Sequence, residues 1–362
     1  MALGGGTDAS GTTSGGFNSG LSSNAAVQAS WEIDLFGRLA RGIEASEALF
    51  AAAEEDERDV QVSLFAELAT RYMSIRSLQA QIDAAAGNIE SQQEILALTR
   101  IRERDGLASR LDVVRAEQLV AASEATLPPL RTQLVRDINT IAVLVGVPPS
   151  EVPYDLNTAL PIPVPPTEIV VGIPADLLRQ RPDIRAAERR IAAQSAAVGV
   201  ATSSLYPQFS FGGSIGTTFA GVPATFSVGP SLRWTLFDGG RIRSQITVED
   251  AVLDQAIIAY EQTVLRALEE VESAMTTFIE QRVRMEAVER SARAAQEAFD
   301  LAAALYRDGL IDFQDLLNVQ TNLLSADAAV AEARGLATQN LVALYKALGG
   351  GWDTSTGKAD GE

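Results

Sequence analysis

The side chains able to do chemistry in this chain are carboxylates and guanidiniums. It has no His and no Cys, which removes thiolate nucleophiles, disulfides and imidazole-based acid–base or metal chemistry. One acidic stretch follows Tyr306, with Asp308, Asp312 and Asp315 close together. Asp315 stands six residues past Gly309, and Asp112 stands six past Gly106. A carboxylate-based hydrolase needs two acids held in one cleft, and no spacing here marks such a pair. A second use of these residues is helix capping. Ser109 and Asp312 are candidate N-caps, with Asp112 and Asp315 three residues later as capping-box acids. No catalytic residue, metal-ligand set or cofactor motif is assigned.

These acids flank a tetrapeptide, RDGL, that occurs twice, at Arg104–Leu107 and Arg307–Leu310. The distance from Gly106 to Gly309 is an offset of 203. The same offset carries Trp31 onto Trp234, Gly37 onto Gly240, Arg38 onto Arg241, Glu67 onto Glu270 and Gly146 onto Gly349. Such constancy marks a duplicated unit.

Each unit opens on alternating strands. Val27, Ala29, Trp31, Ile33 and Leu35 alternate with Gln28, Ser30, Glu32 and Asp34. In the second unit Phe226, Val228, Leu232, Trp234 and Leu236 alternate with Ser227, Gly229, Ser231, Arg233 and Thr235. Phe209, Phe211 and Ile215 mark a further strand. Apolar-out, polar-in strands of this kind suit a membrane barrel, and equally a soluble sheet with one wet face.

After Gly37 and after Gly239-Gly240 come proline-free stretches up to the two RDGL motifs. Leu68, Ile75, Ile82 and Ile89 repeat every seven residues, with Gln79 as a polar break among the interleaved positions. This is coiled-coil spacing, and helices this long need neighbours along their length. An Arg followed by Gly stops a helix, so each RDGL is the tip of a helical hairpin, with the return helices reaching Gly146 and Gly349. The spacing divides the chain into a first strand pair (1–36), a first hairpin (37–146, tip 104–109), a proline-rich connector (147–180), a helix (181–206), a second strand pair (207–238), a second hairpin (239–348, tip 307–312) and a tail (349–362). Arg181–Asp183 reads as helix capping.

A net charge of −18 argues against a nucleic-acid partner. Hydrophobic residues make up 46% but aromatics only 6%, a balance that suits closely packed helices. No apolar run is long enough for a membrane-spanning helix, and the N-terminus lacks the pattern of an export signal. Subtracting the offset from residues 181–204 leads to positions before residue 1. The chain is therefore read as an N-terminally incomplete copy of a longer protein. About four strands per chain cannot close a barrel in lipid, because open edges leave backbone groups unpaired. A barrel would need several chains. The competing reading is a soluble or periplasmic coiled-coil scaffold or adaptor without a channel.

The stretches "SWEIDLFGR", "RPDIRAAERRIAA", "LYPQFS", "WTLFDGGR", "YRDGL" and "LYKALGGGW" resemble the TolC-like outer-membrane efflux proteins, in particular the OprM/NodT lipoprotein branch. The resemblance implies a mainly α fold with a β-barrel part. Long antiparallel hairpins form an α-barrel, and four strands per protomer build a trimeric twelve-stranded outer-membrane barrel with a periplasmic extension. It implies a passive duct working with a periplasmic adaptor (membrane fusion) protein and an inner-membrane RND-type pump to export drugs and toxic compounds, with outer-membrane lipid around the barrel. It implies a lipid anchor in the full-length protein. It assigns Asp315 to an acidic constriction ring, Asn318 to the position of a second ring acid, and Tyr306 to the tip tyrosine, with Asp308 and Asp312 adding charge. Arg104, Gly106, Leu107, Arg307, Gly309 and Leu310 fall where the family meets its adaptor. Glu32, Asp34 and Arg233 are expected to face the lumen, and Trp31, Ile33, Phe209, Phe211, Trp234 and Leu236 the lipid.

Overall fold

The computed structural model describes residues 2–6, 24–151, 155–163, 180–218 and 222–350. Part of the first strand pair, most of the connector and the tail beyond residue 350, with Trp352, lie outside them. The chain forms two compact units, residues 1–56 with 183–263 and residues 57–182 with 264–362.

The first unit is built on a sheet. Strands β1 (Ala2–Gly6), β2 (Asn24–Ile33), β3 (Gln208–Thr218) and β4 (Val222–Arg233) pair antiparallel in that order. Register decides what the alternation means. Trp31 pairs with Phe211, and Phe211 with Pro230. Val27 pairs with Ile215, and Ile215 with Phe226, while Ile33 pairs with Phe209, and Phe209 with Leu232. Directly opposed residues share a face, so one face of β2–β4 is apolar from the Ile33–Phe209–Leu232 row to the Val27–Ile215–Phe226 row. The other carries Gln28, Ser30, Glu32, Ser210, Ser214, Ser227 and Ser231.

The ladder is shorter than the alternation suggests. It ends at Ile33 and Arg233, so Leu35, Trp234 and Leu236 stand just beyond the strands. Gln208 is the last partner of Arg233. Pro207 before it has no N–H to extend the pairing. The Trp234 indole donates instead to the Leu205 carbonyl at 3.1 Å.

Helix α1 runs Arg38–Arg104. Past the sheet the chain forms α2 (Arg110–Glu124), α3 (Leu127–Val145) and, later, α4 (Pro182–Ser203). The second half gives α5 (Arg241–Arg307) and α6 (Phe313–Ala347). Within the first unit α4 is tied to both long helices. Arg185 pairs with Glu55 at 2.6 Å and Arg190 with Asp56, both on α1, and Gln194 donates to Glu249 of α5 at 2.9 Å. Ile184, Ala186, Ala193 and Ala196 are among its buried side chains.

Within the second unit the heptad residues Ile75 and Ile89 are buried, as are Val271 and Phe278, which the offset places opposite Leu68 and Ile75. Gln79 explains its break in the pattern: its amide donates to the connector's Leu156 carbonyl at 2.8 Å, beside Arg76 donating to Thr158 O. Arg181 does more than cap a helix. It donates to Ala347 O, at the end of α6, and to Glu270, each at 2.8 Å. At Gly335 a Cβ would lie 2.2 Å from Ser77 Oγ and 2.5 Å from Ser77 Cβ, so α1 and α6 pack backbone-close there.

The two return segments differ. α6 is unbroken, whereas the first return, expected as one helix, splits between α2 and α3 at Ala125–Thr126. Pro128 and Pro129 supply no N–H to the preceding turn but are well suited to a helix start. Among the described residues no helix is long and apolar enough to cross a membrane.

Candidate functional site

Both RDGL motifs end a helix in the same way. Gly106 and Gly309 each adopt φ +75°, a left-handed conformation that side chains disfavour. Leu107 N bonds to Arg102 O at 2.7 Å and Leu310 N to Leu305 O at 2.8 Å, closing equivalent Schellman-type turns. The tips that follow are apolar and open, with Leu107 67% and Leu310 69% exposed. Arg104 and Arg307 are exposed beside them.

The acids are used differently at the two tips. At the first, Ser109 and Asp112 form a reciprocal capping box: Ser109 N donates to Asp112 Oδ2 at 2.9 Å, and Asp112 N to Ser109 Oγ at 3.2 Å. At the second, Asp312 takes the cap, accepting from Asp315 N at 2.9 Å. Asp has replaced Ser there, and two facing carboxylates cannot complete a box. The Asp315 carboxylate is exposed and has no hydrogen-bond or ion-pair partner among the described residues. Asp308 is exposed on the turn, and Asn318 accepts from Gln314 at 3.1 Å.

Tyr306 does not share that exposed surface. It is 2% exposed, in a core with Ile95, Val113, Phe313 and Leu316. Its hydroxyl lies 3.3 Å from Thr99 Oγ1, and the Phe313 ring meets it edge-on at 5.9 Å. Arg102 of α1 lies over the ring at 4.7 Å and donates to the carbonyls of Tyr306 at 2.7 Å and Arg307 at 3.2 Å. Arg115 of α2 adds a bond to Gln314 of α6 at 2.9 Å. Sequence reasoning found Tyr306 but missed Thr99, Arg102, Arg115 and Gln314. One signal was available: the offset puts Leu305 opposite Arg102 and Glu103 opposite Tyr306, so both partners are unique to their copies.

At the sheet, the apolar face is open, with Trp31 62%, Val228 67% and Phe226 83% exposed. Ile33, Phe211 and Leu232 are also exposed, and Phe209 is half-buried. Among the described residues these register-paired apolar side chains join no core, and an exposed apolar surface of this kind marks a protein or membrane interaction site. The opposite face is small and hydroxylated, with Ser210 bonded to Ser231 at 2.7 Å and Ser214 to Ser227 at 2.8 Å. Glu32 and Arg233 are its charged residues, and Glu32 is ion-paired with Arg38, whose Nε donates to it at 2.8 Å. Asp34, expected on that face, lies past the end of β2. Its carboxylate accepts from Ala40 N at 2.8 Å, and that backbone bond holds its pKa below the ordinary carboxylate value. Asp238 plays the same part at α5, where the N–H groups of Ile242 and Gly240 lower its pKa.

Comparison with known proteins supplies a frame for both surfaces. Residues 1–147 and 173–350 match the family described as outer membrane efflux protein. Nodulation protein T of Rhizobium leguminosarum bv. viciae is 33% identical over 91% of this chain and 70% of its own. The toluene efflux pump outer membrane protein TtgF of Pseudomonas putida is 32% identical, over 90% and 68%. The solved structure of the outer-membrane channel OprN superposes with a TM-score of 0.85 at 37% identity, over 97% of this chain and 81% of that one.

Proposed function

The chain belongs to the outer membrane efflux protein family, and from that premise we propose that it is the outer-membrane channel of a tripartite efflux system. The observation that carries the proposal is the two-faced sheet, apolar and exposed on one side and serine-lined on the other. Strands of 10 to 12 residues suit a tilted membrane strand. One chain's four-stranded sheet has two open edges, and lipid does not tolerate unpaired backbone. Three chains give twelve strands, within the range of closed barrels, and a closed ring removes every edge.

In this reading Trp31, Ile33, Phe209 and Phe211 face lipid, and the serine face lines the duct. Trp234 and Leu236 border the lipid from just below the strands, while Arg233 and Glu32 stand at the end of the lumen. The helical segments 37–146 and 239–348 form the periplasmic part. The exposed leucines Leu107 and Leu310, with Arg104 and Arg307, offer an adaptor protein six contact points per ring, and an inner-membrane pump feeds the duct through that adaptor. The channel is passive, and the proposal gives the chain no catalytic step.

Asp315, Asp308 and Asp312 then gather on a narrow axis at the closed end, where three copies of an unpaired carboxylate repel one another and attract cations. Asn318 carries no charge toward this ring. Tyr306 holds the tip from beneath, because its carbonyl and ring are both engaged by Arg102. Opening requires the α5–α6 hairpin to part from that arginine.

The test is reconstitution. Purified protein added to planar bilayers is expected to give discrete single-channel currents, and crosslinking in detergent is expected to stop at a trimer. A protein that stays monodisperse without detergent and carries no current is a soluble scaffold, and the proposal fails.

A further inference from the structure

The break in the first return helix leaves a cleft of about 480 Å³ between α1, the α2–α3 junction and α6. The second hairpin's own return, α6, runs unbroken and has no such junction. Its apolar wall includes Leu130 and Leu324, and its polar groups include Gln81, Asn88 and Ser123. This volume is that of a drug-sized ligand site, and the mix of apolar wall with a few convergent polar groups is typical of one. Asp327 follows this wall closely: it stands between Leu324 and Ala328, which both line the cleft, and the side chain of Asn88, another lining residue, is near enough to favour its charged form. Among the described residues no arginine or lysine pairs with it. Burial pushes its carboxyl up from the ordinary value, with Asn88 acting weakly the other way, so this acid is partly stripped of water. A positive charge at this place would replace the lost hydration.

We propose that this cleft binds a drug-sized organic cation, its apolar body against Leu130 and Leu324 and its charge toward Asp327. A ligand held here sits in the wall of the helical part, apart from the tip acids. The site is thus a resting place with a charge preference, in a protein whose strands offer mostly serine to passing compounds. Binding is read without transport, so its failure and the failure of the channel assignment are separate results.

The chain has no Cys, which gives a direct assay. Ser123→Cys places one thiol in the cleft of the full-length chain in detergent, and Thr321→Cys, on an exposed α6 position outside the lining, is the control. Maleimide labelling is followed with increasing tetraphenylphosphonium, and with tetraphenylborate as an anion of the same shape. Protection of the thiol at position 123 by the cation at a concentration at least tenfold below that of the anion, with no protection at position 321, is the expected result. Asp327→Asn is expected to erase the tenfold preference, and Leu324→Trp to abolish protection by filling the cleft. Equal protection by both ions, an undiminished preference in Asp327→Asn, or a thiol that never reacts in the absence of ligand would each overturn the proposal.

Discussion

Arg102 and Tyr306 join the two halves of the chain at their ends: the guanidinium donates to the Tyr306 carbonyl at 2.7 Å while lying 4.7 Å from the centre of the tyrosine ring. One side chain thus holds both the backbone and the side chain of the turn that precedes Gly309. Its carbonyl bonds fall on the last turn of α5, where carbonyls have lost their helical partners.

Arg102→Ala is expected to release that turn. Hydrogen bonds to a charged donor contribute about 1.5–3 kcal/mol each, so a loss of about 1–3 kcal/mol in local stability is expected at this half-buried site. In planar bilayers the variant should show higher conductance or more frequent openings than wild type. Arg102→Lys, which keeps the charge but not the fork, should fall between the two. Identical currents in all three would mean that the bond is not part of the closed state.

Asp112 and Asp315 occupy corresponding places and should respond oppositely. Ser109→Ala or Asp112→Ala breaks a capping box and is expected to cost about 1 kcal/mol of stability, with little change in current. Asp315→Ala removes a carboxylate that caps nothing. Melting temperature should be nearly unchanged, while conductance rises and block by divalent cations weakens. Single-channel recording with and without Mg²⁺ on both variants separates the two roles.

Gly335→Leu is expected to destabilise the second unit severely, by several kcal/mol in the range of overpacked cores. Even the added Cβ would meet Ser77 Oγ at 2.2 Å. Gly335→Ala is the milder form, and Ser77→Gly should restore part of its loss. Thermal melts of the two single variants and the double variant test this: additive losses would exclude the close approach as the cause.

Asp34 and Asp238 give the strand-to-helix junctions a pH dependence of known sign. Both carboxyls are held below their ordinary value of 3.8 by helix N–H groups, chiefly Ala40 N for Asp34 and Ile242 N for Asp238. A depressed carboxyl stabilises the fold fully above the unfolded value and loses that effect as pH falls through the folded one. The Tm difference between wild type and Asp238→Ala should therefore be constant from pH 7 to about 5 and shrink below about pH 4. A difference that persists at pH 2.5 would point to packing rather than charge.

The architecture is legible in the sequence because its signals are local or periodic. Alternation in β2 and β4 predicts the two faces, and the register of Trp31 with Phe211 carries them across the sheet. Arg–Gly pairs predict both turns, and Ser109 with Asp112 predicts a capping box that the backbone completes. What stays hidden depends on contacts distant in sequence or on a missing N–H. Arg102 meets Tyr306 only after two long helices align, and no period announces it. Trp234 and Leu236 continue the alternation of β4 but not its pairing, since Pro207 ends the partner strand. Pro128-Pro129 is in plain view, but the apolar pattern on either side masks its effect. Tyr306 is placed at the tip by the resemblance, but nothing in the sequence marks it as the centre of a core with Ile95, Val113 and Leu316.

The duplicated turn has a consequence for symmetry. A ring of three chains has six tips, and their turns share one backbone form, since Gly106 and Gly309 have the same φ. The chemistry is only threefold. At alternate tips the acid is committed to a cap, and at the others it is free and the turn is fastened by an arginine from the first hairpin. In the proposed channel three tips are therefore fixed seats and three are leaves resting against them, so that opening it would move half of its parts and keep the rotational order of the ring.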